Sequence, residues 1–300
     1  MELIRPGTSF DFVRFFKWTY LISLALILLG LASFWYHGGP NYGVDFVGGT
    51  VVHVKFTQPT AITDIRQALE ATDITNVSVQ DFGQGGNEFL IRMPVSASAA
   101  EDIAVKVQKG LATKFGEQAF EIRRVETVGP KVGKDLRRKA LLAVLFSTVM
   151  MGIYIAFRFE PRFGVGAAVA LLHDVLITAG ALSLMNMEFD LTVVAALLTI
   201  VGFSVNDTVI ICDRIRENMR KLRRENLTGI INRSVNETLS RTIITTGTAV
   251  LVTIALFLLG GEVIHAFAFA LLVGFTVGTY SSIFVASPFV LLWEKGGQRR

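Results

Sequence analysis

Asp207 stands inside a long apolar stretch, with roughly three helical turns of hydrocarbon before it and at least one after. A charge in a bilayer core costs at least about 2.5–3.5 kcal/mol on insertion scales, so its presence there demands a reason. Asn206 precedes it, and Ser204 at i−3 and Arg214 at i+7 share its helical face, forming a polar stripe that must look onto protein or water. Two chemistries fit. One is a permanently protonated tether for hydrogen bonds. The other is a proton acceptor, since desolvation disfavours the ionised form and a movable cation nearby restores it. Arg241, on the next apolar segment, is the closest candidate cation, with Thr245 at i+4 and Thr248 at i+7 continuing its stripe. The same arginine also reads as an interfacial anchor that snorkels to the membrane surface.

His173 and Asp174 lie near the middle of a third apolar segment. Adjacent helical residues point about 100° apart, so the pair is not expected to face one partner, and relay and packing roles stand equal. Little else suggests chemistry. Cys212 is the only cysteine, and His37, His53, His173 and His265 are scattered singly, which excludes a disulfide scaffold and argues against a metal site. The Gly129–Asp135 segment has three residues between its glycines where a phosphate loop has four, and Asp135 stands where Ser or Thr is needed. Gly83-Gln-Gly85-Gly86 lacks the third glycine of a dinucleotide fingerprint. No enzyme, cofactor or metal is expected.

The elements that hold these residues are membrane spans. The 300 residues are 51% hydrophobic and 18% charged, against about 25% charged in soluble domains. Six apolar segments, 18–36, 140–157, 163–185, 191–212, 243–260 and 266–287, approach or reach the length needed to cross a bilayer. The first reads as an uncleaved anchor, its 19 uncharged residues exceeding a signal-peptide core. Basic residues collect on one side: Arg5, Arg14 and Lys17, Arg158 and Arg162, eight from Arg214 to Arg241, then Lys295, Arg299 and Arg300. The opposite turns, 186–190 and 261–265, carry Glu188, Asp190 and Glu262 without Lys or Arg, and Asn186, Glu188 and Asp190 read as a solvated turn rather than a site. Lys131, Lys134, Arg137, Arg138 and Lys139 dissent, but they end an outer loop of roughly 100 residues, and long loops translocate largely regardless of charge, so both termini are expected in the cytoplasm. The net charge of +4 reports this orientation rather than nucleic-acid binding. The basic loop 213–241 has a helical pattern and suits either anionic lipid or a docking partner. Gly274-x-x-x-Gly278 predicts close helix packing, with Thr276, Thr279 and Tyr280 adding polar contacts, and Pro288 predicts the end of the last helix.

The chain divides into residues 1–37 (N-terminus and first span), 38–138 (an external domain) and 139–300 (a five-helix bundle). In the external part the apolar period drops to two. Val52, Val54 and Phe56 read as a strand, 60–71 as a helix, Val77 and Val79 as a second strand, and Phe89, Ile91 and Met93 as a third after a turn at Gly83–Gly86. A capping box at Ser98 and Glu101 opens a helix through Phe115, and Phe120 with Ile122 begins a fourth strand. The order β-α-β-β-α-β predicts a ferredoxin-like domain. The expected fold is thus an α-helical membrane protein of six transmembrane helices, with one external ferredoxin-like α+β domain between spans one and two.

Several motifs then carry a resemblance. Gly43-Val-Asp-Phe-Val-Gly-Gly-Thr50, Val128-Gly-Pro-Lys-Val-Gly133, Phe157-Arg-Phe-Glu160, His173-Asp174, Val201-Gly-Phe-Ser-Val-Asn-Asp-Thr208, Asp213-Arg-Ile-Arg-Glu-Asn218 and Arg241-Thr-Ile-Ile-Thr-Thr-Gly247 together resemble the SecF family of bacterial protein-export subunits. Val47 departs from the Thr of many relatives. The resemblance implies a partner, SecD, and membership of the resistance-nodulation-division superfamily. It also implies work with the SecYEG channel, SecA and YajC on an unfolded preprotein, driven by the proton gradient across the bacterial inner membrane. By the resemblance, Asp207 and Arg241 fall on the family's proton pathway and Gly43–Thr50 on the link to the external domain, with Gly48-Gly49 as its hinge; the residues themselves offer Asn206, Ser204, His173, Asp174 and Thr245 as supporting polar candidates. A small-molecule proton antiporter and a passive assembly scaffold remain the alternatives.

Overall fold

The computed structural model describes residues 9–72, 77–81, 86–93, 100–222 and 224–297. Among these, six helices are long and apolar enough to cross a membrane. They are α1 (Phe12–Tyr36), α5 (Pro130–Arg158), α6 (Pro161–Leu184), α7 (Leu191–Lys221), α8 (Leu227–Leu259) and the compound last helix. Most are longer than their apolar runs. α5 starts at Pro130, where the ring's fixed φ and missing N–H suit a first turn. α7 and α8 extend through most of 213–241, so that segment continues two spans, α7 ending at Lys221 and α8 beginning at Leu227.

The last helix corrects an expectation. Pro288 does not end it: α9 (His265–Ser281) passes through a π-turn at Ser282–Ala286 into α10 (Ser287–Gly297). A wider turn just before the proline relieves the clash that a ring makes with the preceding turn.

Between α1 and α5 lies the external domain. A single-turn helix α2 (Val44–Val47), which the sequence pattern does not show, leads into β1 (Gly49–Phe56). Then come α3 (Ile62–Glu70), β2 (Ser78–Asp81), β3 (Glu88–Met93), α4 (Ala100–Phe115) and β4 (Phe120–Val128). The sheet order is β2-β3-β1-β4, all pairs antiparallel, which is the ferredoxin-like arrangement. Val52, Val54, Phe56, Phe89, Ile91 and Met93 fill one face of the sheet, against Ile65 and Leu69 of α3 and Val107 and Leu111 of α4. Ser98 and most of the Gly83–Gly86 turn lie outside the described residues.

In the bundle, α6, α7 and α9 are central, while α1, α5 and α8 present broad apolar faces. Leu21, Leu28, Leu141, Phe146, Leu251 and Leu258 are exposed there, as lipid-facing surfaces require. The central helices approach closely where side chains vanish. A Cβ on Gly180 of α6 would lie 2.8 Å from Cα of Gly30 in α1. One on Gly274 of α9 would meet the Ile200 side chain of α7 at 2.2 Å, and one on Gly278 would meet Ser204 at 3.0 Å.

Candidate functional site

That close contact of α9 with α7, and of both with α8, places Asp207 at a three-helix junction, only 2% exposed. Thr246 Oγ1 of α8 donates to Asp207 Oδ2 at 3.3 Å and Thr279 Oγ1 of α9 at 3.4 Å, the two hydroxyls being 2.6 Å apart. Both bonds to the carboxylate are long. Oδ1 has no hydrogen-bond donor among the described residues. A buried carboxyl group so lightly held can gain or lose a proton without dismantling a network.

Arg241 of α8 is exposed and forms no ion pair among the described residues, yet its charge acts electrostatically on Asp207. The two are neighbours rather than a bonded pair. Thr245 is half-buried and does not reach Asp207; Thr246, one position on, takes that place. Asn206 is exposed, about 100° around α7 from Asp207. Ser204 shares the helical face of Asp207 but donates instead to Asp174. Thr208 Oγ1 lies 2.9 Å from Ser282 Oγ, within the π-turn.

Asp174 is the better-satisfied acid. Fully buried on α6, its Oδ2 accepts from Ser204 Oγ at 2.6 Å and Ser281 Oγ at 2.8 Å, and its Oδ1 lies 3.0 Å from His173 Nδ1. His173 Nε2 lies 3.0 Å from Ser23 Oγ of α1, which is 3.0 Å from the hydroxyl of Tyr280, and Tyr280 donates to the Thr19 carbonyl at 2.7 Å. The expectation that His173 and Asp174 face different partners is half right. His173 reaches α1 and Asp174 reaches α7, but the two side chains bond each other and both touch α9, through Tyr280 and Ser281. Ser23 and Ser281 were not singled out by sequence; hydroxyls four apart in α1, at Thr19 and Ser23, are the signal that marks one of them.

At the cytoplasm-facing ends expected from charge, α7 and α8 are joined by polar side chains. Glu237 Oε2 accepts from Arg214 Nε at 2.6 Å and Asn218 Nδ2 at 2.8 Å, and Oε1 from Arg233 Nε at 3.1 Å. Glu217 accepts from Arg214 and Lys221. Arg214 therefore serves this cluster and not Asp207.

On the opposite side, the turn 186–190 is no solvated loop. Glu188 forms an ion pair with Arg92 of β3, whose guanidinium pKa is pulled down by burial against the charges of Asp190 and Asp45. Gly43 N donates to the Phe189 carbonyl at 2.8 Å, and Phe189 N to that of Asn41 at 2.7 Å. Asp45 Oδ2 accepts from the Leu191 amide at 3.0 Å, and Asp190 caps α7 through the Val193 amide. Next along the chain, Gly48 (φ +86°) and Gly49 (φ +151°) adopt conformations that L side chains rarely take, and both are packed. A Cβ on Gly49 would lie 2.5 Å from the Met93 carbonyl oxygen, and one on Gly48 would lie 3.0 Å from Pro130.

The family profile described as "Protein export membrane protein SecD/SecF, C-terminal" matches residues 107–296, and that of the "SecD/SecF GG Motif" matches residues 34–60. The chain is 48% identical to the protein translocase subunit SecF of Magnetococcus marinus, over 100% of this chain and 97% of that one. It is 42% identical to SecF of Vibrio alginolyticus, over 97% and 91%. Among solved structures it is similar to SecDF of Thermus thermophilus, a translocon-associated membrane protein, at a TM-score of 0.84 and 37% identity. That match covers 96% of this chain but 39% of the longer SecDF chain. A SecDF structure in the super-membrane-facing form gives a TM-score of 0.72.

Proposed function

Because the chain belongs to the SecD/SecF family of protein-export membrane proteins, we propose that this auxiliary subunit of Sec export uses the proton motive force to promote late-stage translocation of secretory proteins. It is a multi-pass protein of the bacterial inner membrane. SecD is its partner, and the assembly works with SecYEG, SecA and YajC on an unfolded preprotein. Both termini lie in the cytoplasm and the ferredoxin-like domain outside.

The observation that carries this reading is the contrast between two buried acids. Asp174 is locked by three partners, whereas Asp207 holds two long bonds and one unpaired oxygen beside an uncommitted arginine. Asp207 takes a proton arriving from outside and releases it inside, and Arg241 answers the change of charge. Each unit charge that crosses is worth about 2.3 kcal/mol per 100 mV. Alternation at Asp207 biases two packings of α7, α8 and α9, as bistable switches require. The external domain turns about Gly48-Gly49 and hinders backsliding of the exported chain.

The test is proton-gradient-dependent export of a secretory protein in inner-membrane vesicles, comparing wild type with Asp207→Asn at matched complex abundance. Loss of the gradient-dependent component supports the motor. Full retention makes Asp207 a structural partner and the protein a passive scaffold.

A further inference from the structure

Arg241 carries its charge without an ion pair among the described residues, although an acid sits one turn away on its own helix. That acid is Glu237, at i−4. On an α-helix a glutamate four residues before a cation is the favoured orientation for pairing, better than the reverse. Left to the helix alone, Glu237 would pair with Arg241.

The observed pairing goes elsewhere. Glu237 Oε2 is taken by Arg214 Nε at 2.6 Å and Asn218 Nδ2 at 2.8 Å, both from α7, and Oε1 by Arg233 Nε at 3.1 Å. Arg233, at i−4, makes the less favoured of the two same-helix pairings. Glu217 is likewise occupied, by Arg214 and Lys221. Asp213 of α7 is exposed and makes no ion pair among the described residues. Glu237 and Glu217 are thus both occupied by other cations, while the Arg241 charge acts on Asp207.

We propose that Arg214 and Arg233 are positioning residues for the proton step: by occupying both oxygens of Glu237 they prevent it from capturing Arg241, and so reserve the Arg241 charge for Asp207. The inference rests on the role proposed above for Asp207. An Arg241 neutralised within its own helix turn would no longer respond to the charge of Asp207, and proton loading would lose its link to helix packing.

Gradient-dependent export in inner-membrane vesicles tests this with Arg214→Gln/Arg233→Gln, the same pair combined with Glu237→Gln, Glu237→Gln alone, and Asp207→Asn, all at matched complex abundance. The double variant is expected to lose the gradient-dependent component. Glu237→Gln alone is expected to keep it, and adding Glu237→Gln to the double variant to restore it. A purely structural role for the cluster predicts no recovery, with the triple variant no better than the double. The proposal is overturned if the double variant keeps full stimulation or if the triple fails to recover. Where the double variant does not accumulate, Arg214→Gln against Arg214→Gln/Glu237→Gln carries the same comparison. Loss in Asp207→Asn beside a fully active double variant overturns this inference alone, whereas retention in Asp207→Asn overturns the reading beneath it.

Discussion

Two buried aspartates on adjacent helices differ in what surrounds them, and substitutions should separate them. Asp174→Ala removes the acceptor of Ser204 and Ser281 and the partner of His173, in a site with no exposure. Leaving buried donors unsatisfied costs about 1–3 kcal/mol per group, so the thermal midpoint of the purified protein in detergent should fall and its yield with it. Asp207→Asn gives up only long bonds of 3.3 and 3.4 Å, so the midpoint should hold within a few degrees while gradient-driven export is lost. Outside the membrane a third acid gives a pH prediction. The Lys55 ammonium, hydrogen-bonded to Glu88, holds that carboxyl below the ordinary carboxylate range, with Arg123 and His53 assisting. A folded-state pKa depressed below the unfolded one stabilises the domain above about pH 4.3, and this is lost as pH falls through the folded value. In Glu88→Gln that part of the acid dependence should vanish, read as amide exchange of β1 and β3 in the whole protein between pH 3 and 7. Exchange protection that falls equally with acid in both proteins would refute it.

At the scale of elements, helix contacts rest on positions where a methyl group has no room. Gly180→Ala would put a Cβ 2.8 Å from Gly30 Cα, forcing α6 from α1, and overpacking of this kind costs about 1–3 kcal/mol. Gly202→Ala, in α7 with nothing within 4 Å, is the control and should be neutral or gain up to about 1 kcal/mol of helix propensity. Thermal unfolding of the two variants in detergent checks the sign of each. The spacing of Gly274 and Gly278 made one such contact legible in the sequence. The Gly30–Gly180 contact was not, because its partners are 150 residues apart and neither lies in a local pattern. The strand alternation of Val52, Val54 and Phe56 and the helical period of α3 and α4 were equally plain, since local period decides which face is buried. The π-turn at Ser282–Ala286 and the choice of Thr246 over Thr245 were not, because each depends on a small rotation set by neighbouring helices. Asp207 and Arg241 stood out as charges beside apolar runs; the hydroxyls of Ser23 and Ser281 did not, since small polar residues in spans are common.

For the molecule as a whole, the proposed motor requires a path from the bundle to the external domain. The strap of residues 41–45 pairs with the turn before α7 through backbone bonds at Gly43 and Phe189, and Asp45 holds the first amide of α7. The strap runs along the chain through α2 into Gly48-Gly49 and β1, so the helix bearing Asp207 is tied by hydrogen bonds to a segment that leads directly into the first strand of the domain. Arg92 and Glu188 close a second connection from β3 to the same turn. Their side chains are 22% and 25% exposed, so the pair is mostly shielded from solvent and less screened than a surface pair, though still open to disruption. Glu188→Arg should therefore loosen the domain on the bundle, raising amide exchange in the 186–190 turn and along β3. Arg92→Glu alone should do the same, and the combined exchange of charges should restore protection. The restoration matters most, because a local unfolding caused by either substitution would add rather than cancel in the double variant. Gradient-dependent export should follow the same pattern, falling in each single variant and recovering in the pair, if the turn transmits movement of α7. Recovery of protection without recovery of export would leave the strap and Gly48-Gly49 as the path that bears the load.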